Sequence, residues 1–242
     1  MKNLSLFLLI FFCATQVQAQ LSGIGIRPIL SLSTYKLSKD YNDTYDANFR
    51  PGGGLAIFTE FNLGNRITFQ PEIAFVQRGG AIVNESNVWW NGPDFGYPRY
   101  YRVTELRQKE TLNYIDIPLM FEKNFGGGAI GVYIAAGATL SFSVGNGRGL
   151  EEITAEYPDA DGTTLYQTDR NEYSIEMGSG RNDDYKGNDF SVNLGTGLIY
   201  ILEHGELSFD VRYTHGMRNI DIGNIKNRGF QIGLSYMYYF GQ

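Results

Sequence analysis

The strongest constraint in this 242-residue chain is a period of two. Near the end, Phe230, Ile232, Leu234, Tyr236, Tyr238 and Phe240 fall on one face, while Gln231, Gly233, Ser235, Met237 and Tyr239 fall on the other. Successive side chains of a β-strand point to opposite faces, so this alternation predicts a strand with one apolar side. Leu207, Phe209, Val211 and Tyr213 oppose Glu206, Ser208, Asp210, Arg212 and Thr214 in the same way. The pattern recurs near residues 23–34, 53–63, 66–77, 111–123, 129–142 and 189–202, which makes eight expected strands.

The connections between them fall into two classes. Three are tight and carry glycine: Leu63-Gly64-Asn65-Arg66, residues 124–128, and Glu203-His204-Gly205. Glycine there supplies the backbone freedom that hairpin turns need. Four are long, at residues 35–52, 78–110, 143–188 and 215–228. Because short and long alternate strictly, the tight turns share one end with both termini and the long loops share the other. This predicts an all-β fold: an eight-stranded antiparallel up-and-down transmembrane β-barrel with short periplasmic turns and long extracellular loops.

A soluble eight-stranded barrel would show the same alternation with its apolar face turned inward. Two features favour the membrane version. The faces opposing the apolar ones are rich in Gly, Ser, Asn and charge, which suits a narrow polar lumen. The aromatics on the apolar face also sort by height. Phe61, Phe121, Tyr200, Tyr236, Tyr238 and Phe240 lie toward the tight turns, and Phe75, Phe142, Phe190, Tyr213 and Phe230 toward the long loops. Two aromatic girdles belong at two membrane–water interfaces.

Residues 1–19 read as a cleavable signal peptide. Lys2 supplies the positive start, Leu4 to Ala14 the apolar run, and Val17-Gln18-Ala19 the small-residue cleavage site, which leaves residues 20–242 as the barrel domain. The apolar run is too short to span about 30 Å of hydrocarbon. The sole cysteine, Cys13, leaves with the leader, so disulfides are not expected to hold the exported fold. The remaining chain carries 19 basic and 26 acidic side chains, which makes nucleic acid an unfavourable partner.

Three segments resemble the PorT-type outer-membrane β-barrel family: Tyr114-Ile115-Asp116-Ile117-Pro118-Leu119, Pro71-Glu72-Ile73-Ala74-Phe75, and the glycine-rich stretch from Tyr133 to Gly137. The resemblance covers about residues 21–242 and implies residence in the outer membrane of a Gram-negative bacterium. A few members of that family assist protein secretion across the envelope. The segment Gln231-x-Gly233-x-x-Tyr236-x-Tyr238 also resembles the C-terminal signal read by the barrel-assembly machinery, although four residues follow it here. The partners implied are outer-membrane lipid and that machinery.

Candidate functional residues fall in two places. The expected inward faces carry Glu60, Glu72, Asp116, Glu122 and Asp210 against Arg27 and Arg212. Charges in so narrow a lumen require pairing, hydrogen bonds or water, so these seven form either a salt-bridged plug or an acidic cation-preferring passage. The second long loop carries Trp89, Trp90, Tyr97, Arg99, Tyr100 and Tyr101, residue types common at protein hot spots and carbohydrate contacts, and is the expected binding surface for a protein or glycan. No catalytic site is expected. The two histidines, His204 in a tight turn and His215 at a loop entrance, lack a Ser/His/Asp spacing or a G-x-S-x-G element. Asp159-Ala160-Asp161-Gly162 lacks the later glutamate of a calcium loop, and no cofactor or metal site is expected. The reading is of a non-enzymatic scaffold or surface-loop binding protein, with a narrow pore or gated transporter as the alternative.

Overall fold

A computed structural model describes residues 20–38, 45–85, 88–91, 100–158, 163–180, 183–221 and 224–240. The expected leader at 1–19, with Tyr97 and Arg99, lies outside the described residues. In chain order the strands are β1 (Gln20–Lys36), β2 (Asp46–Asn48), β3 (Arg50–Gly64), β4 (Ile67–Arg78), β5 (Ala81–Asn84), β6 (Val88–Asn91), β7 (Tyr100–Phe125), β8 (Ile130–Ser143), β9 (Gly147–Pro158), β10 (Thr164–Ile175), β11 (Met177–Gly178), β12 (Tyr185–Lys186), β13 (Asn188–Leu202), β14 (Gly205–Gly216) and β15 (Lys226–Tyr239).

The eight alternating segments all enter one closed ring, in the order β1-β3-β4-β7-β8-β13-β14-β15. Every neighbouring pair is antiparallel, and β15 returns to β1 from Gly23↔Tyr239 to Lys36↔Lys226. At the β3–β4 turn, Asn65 and Arg66 both have positive φ (52° and 60°), the conformation a tight hairpin needs to match strand twist.

Alternation alone leaves open which face points inward; the fold places the polar face inside, as the glycine-, serine- and charge-rich faces predict. Ile73, Leu194 and Leu234 are each at least 60% exposed on the outside of the ring, while Arg27, Glu72, Asp116 and Arg212 are buried within it. A continuous apolar exterior of this kind suits hydrocarbon rather than water, which removes the soluble-barrel alternative. Aromatic contacts occur at both rims: Phe69 lies 5.0 Å from Phe121 toward the tight turns, and Tyr213 lies 5.2 Å from Phe230 toward the other end.

The long connections correct the expectation of loops. The chain forms more than eight strands because residues in 78–110 and 143–188 continue as sheet beyond the ring. β7 runs for 26 residues, about 86 Å at 3.3 Å per residue. From Leu112 downward it pairs with β4 and β8 inside the ring. From Thr111 upward it pairs with β9, and β9 pairs in turn with β10. On its other edge the upper part of β7 pairs with β5 and β6. The result is a sheet that protrudes from one rim of the barrel.

The exchange of partners beside β7 occurs at Gly79. Its φ is +148°, and a Cβ there would lie 1.9 Å from the Glu110 carbonyl oxygen. Only glycine lets the chain pass this close to β7 as β4 ends and β5 begins.

Candidate functional site

The lumen side chains arise directly from strand parity. Along β4, Thr68, Gln70, Glu72, Ala74, Val76 and Arg78 all point inward and are all buried. The centre of the ring is an interlocked ion-pair network. Arg212 Nη1 donates to Glu72 Oε1 at 2.6 Å, and Nη2 donates to the Gln70 side-chain oxygen Oε1 at 3.0 Å. Its Nε lies 3.1 Å from Asp210, and Nη2 lies 3.6 Å from Glu122. Arg27 pairs with the other oxygen of Glu72 and lies 3.8 Å from Asp210, with its guanidinium over the Phe58 ring. Five of the seven expected lumen residues therefore meet in one network. Asp116 forms a separate pair with Arg78, whose Nη1 also donates to Ser141 at 3.2 Å.

Glu60 joins neither group. It is buried, yet among the described residues it makes no ion pair within reach of an arginine or lysine. It lines a cavity of about 660 Å³ at the tight-turn end with Thr68, Asn124, Glu206 and Tyr239. Arg66 stands at that cavity's exposed rim. Tyr239 donates its hydroxyl to Glu206 at 2.7 Å.

At the opposite rim the lumen is covered. Tyr35, Leu112, Tyr114, Ile175, Tyr185 and Ile220 belong to one buried cluster contributed by the ring, the protruding sheet and the 217–225 connection. Glu110 sits inside it, with the Tyr35 and Tyr185 hydroxyls each donating at 2.7 Å and the Tyr173 hydroxyl at 3.4 Å. Burial pushes the Glu110 carboxyl above its ordinary range, and the three phenols pull it back in part.

The protruding sheet carries the second candidate region. Of the six residues expected there, Trp89 is 52% exposed, and Tyr101 is fully buried against Ile153 and Ala155, so it cannot belong to a free surface. Trp90 and Tyr100 lie in β6 and β7, which corrects their placement in a loop. Arg102 stands over the Trp89 ring and pairs with Glu156, whose carboxyl the Arg102 hydrogen bond holds below the ordinary carboxylate range. Lower on the same face, Lys109 Nζ donates to Glu152 at 2.7 Å and Arg170 approaches it at 3.0 Å.

Sequence reasoning did not single out Arg78 or Glu110, and it did not pair Arg102 with Glu156. Arg78 was legible: its parity with Gln70 and Glu72 continues one step beyond the expected strand end. Glu110, Arg102 and Glu156 fall in segments expected as loops, and nothing in their local pattern distinguishes them.

The family model for the outer membrane protein beta-barrel domain matches residues 18–221. Among solved structures, the chain is similar to Neisserial surface protein A at 12% identity, with 91% of this chain and 99% of that chain covered and a TM-score of 0.46. It is also similar to Ail of Yersinia pestis, at 12% identity over 90% and 100% of the two chains with a TM-score of 0.36. The N-terminal barrel of Pseudomonas aeruginosa OprF follows at 12% identity, 90% and 100% coverage and a TM-score of 0.29. No curated protein matches the chain.

Proposed function

Because the chain belongs to the outer membrane protein beta-barrel domain family and resides in the bacterial outer membrane, we propose that it is a non-conducting, non-enzymatic scaffold that carries a binding sheet at the cell surface. The observation that supports this reading is the occupancy of the lumen. Three guanidiniums and four carboxylates fill its middle with side chains no more than 5% exposed. An eight-stranded ring has room for its own side chains and little else. The tyrosine-rich cluster around Glu110 adds a second closure at the rim from which the sheet rises.

On this reading the tight turns face the periplasm and the protruding sheet faces outward. Residues 1–19 are the export signal, and the resemblance of Tyr114–Leu119, Pro71–Phe75 and Tyr133–Gly137 supports a PorT-type affiliation. The lumen residues other than Glu60 then have a structural role, and the partner is met by Trp89 and its neighbours on the sheet.

One observation favours a narrow cation pathway instead: Glu60 and Glu206 open on the tight-turn cavity without a paired cation among the described residues. Refolding the protein into a planar lipid bilayer and recording single-channel current separates the two. Silence with insertion verified is expected of the scaffold. Stable ion-selective steps, with a reversal potential that moves in Glu60→Gln, would replace it with the pore.

A further inference from the structure

Four strands of the protruding sheet line up one residue each in a single row. Trp89 on β6 is directly opposite Arg102 on β7. Arg102 is opposite Glu156 on β9, and Glu156 is opposite Tyr166 on β10. Directly opposed residues in antiparallel sheet share a face, so all four side chains stand on the same side. The row lies about 12 residues, or roughly 40 Å along β7, beyond the point where that strand leaves the ring near Tyr114.

The two ends of the row are exposed rings: Trp89 is 52% and Tyr166 69% exposed. Three strand spacings separate them, about 14 Å. Between them, Arg102 is locked to Glu156, and the Arg102 guanidinium stands 5.6 Å from the Trp89 ring centroid. The Arg102 side chain keeps 32% of its surface and that of Glu156 11%. Glu156 also takes a hydrogen bond from Tyr166; with five N–H donors on the guanidinium and about four acceptor sites on the carboxylate, the pair still keeps unused capacity.

We propose that Trp89, Arg102, Glu156 and Tyr166 form a platform that binds an uncharged oligosaccharide; this rests on the surface-binding reading above and gives its partner a chemical class. The row is electrically neutral within itself, which matches an uncharged ligand. Sugar rings present apolar C–H faces that rest on aromatic rings and hydroxyls that both donate and accept, and the row offers rings at its ends with a donor–acceptor pair between them. A protein hot spot differs in layout. It gathers its aromatics at a dry centre behind a sheltering rim, whereas here the rings stand apart with a partly wet ion pair between.

The chain has two tryptophans, so in Trp90→Phe the fluorescence reports Trp89 alone. The full protein in detergent micelles is titrated with soluble hexasaccharides of glucose, galactose, mannose and N-acetylglucosamine. Saturable quenching or a blue shift is expected with at least one. Tyr166→Ala weakens that binding about tenfold. Tyr166→Phe keeps the ring and stays within about twofold of the parent, which separates the ring from its hydroxyl as the source of binding. No saturable change with any of the four sugars overturns the platform, as does an affinity unmoved by Tyr166→Ala. The same preparation in a planar bilayer reports separately on the scaffold: current steps defeat that reading whatever the sugars do, and sugar silence in a silent bilayer defeats the platform alone.

Discussion

The ring and the protruding sheet are built from the same strand, β7, yet they handle charge in opposite ways. Inside the ring, arginines and carboxylates are nearly inaccessible and each depends on its partners: Arg212 alone reaches Glu72, Asp210, Glu122 and Gln70. On the sheet, Lys109, Glu152, Arg170, Arg102 and Glu156 form cross-strand pairs with solvent at their sides. The same chemical pairing is therefore a structural requirement in one region and a minor contribution in the other. Desolvation makes the difference, because a buried charge that loses its partner retains the full cost of burial, whereas an exposed one is rehydrated.

Arg212→Ala offers the largest break in this comparison. It leaves Glu72, Glu122 and Asp210 short of their shared cation, and the unfolding free energy measured by urea titration from lipid vesicles should fall by about 3–5 kcal/mol. A loss below about 1 kcal/mol would mean that water already screens the lumen as it screens the sheet. Leu112→Ala comes next. Leu112 is fully buried in the cluster where ring and sheet meet, and the cavity should cost about 2–5 kcal/mol. Protease should then nick the sheet while the ring keeps its heat-modifiable gel mobility, and equal sensitivity of both would erase the boundary drawn between them.

Glu110 sharpens the comparison by pH. Its carboxyl is raised in the folded protein, so the folded state binds that proton more tightly than the unfolded chain does. The contribution to stability is fully present below the unfolded carboxyl pKa of about 4.3 and is lost as pH rises through the higher folded value. Amide protection at Tyr185, whose N–H bonds to the Glu176 carbonyl, should decline as pH rises above about 4, beyond the ordinary exchange trend. Glu110→Gln should flatten that decline, and an identical profile in the variant would remove Glu110 as its source. The smallest effect is Lys109→Ala, which breaks a half-exposed pair with Glu152 and should cost no more than about 1 kcal/mol in the same urea titration.

The two regions also differ in how legible they are. The ring could be read because one face of each strand meets lipid and the other meets the lumen, which imposes an uninterrupted period of two from Leu207 to Tyr213 and from Phe230 to Phe240. The same rule placed Arg27, Glu72, Asp116 and Arg212 indoors. It could not say that Asp116, which lies opposite Ala74, would pair with Arg78, because that pairing depends on how far the arginine reaches along the neighbouring strand rather than on parity. In the sheet both faces carry polar residues: Gln108 and Glu110 alternate with Arg107 and Lys109, so no contrast marks the strand. A register shift between Val103 and Glu105 then breaks what parity there is. Tyr101 shows the cost, since its residue type suggests a surface contact and the strand turns it inward.

The unbroken course of β7 from barrel wall to sheet has a mechanical consequence. A pull on the far end of the sheet runs along the strand axis into a segment hydrogen-bonded on both sides, to β4 and to β8. Load applied in that direction shears all the rungs together instead of peeling them one at a time. A join of this design holds under load, because no single bond between sheet and ring has to bear the force alone.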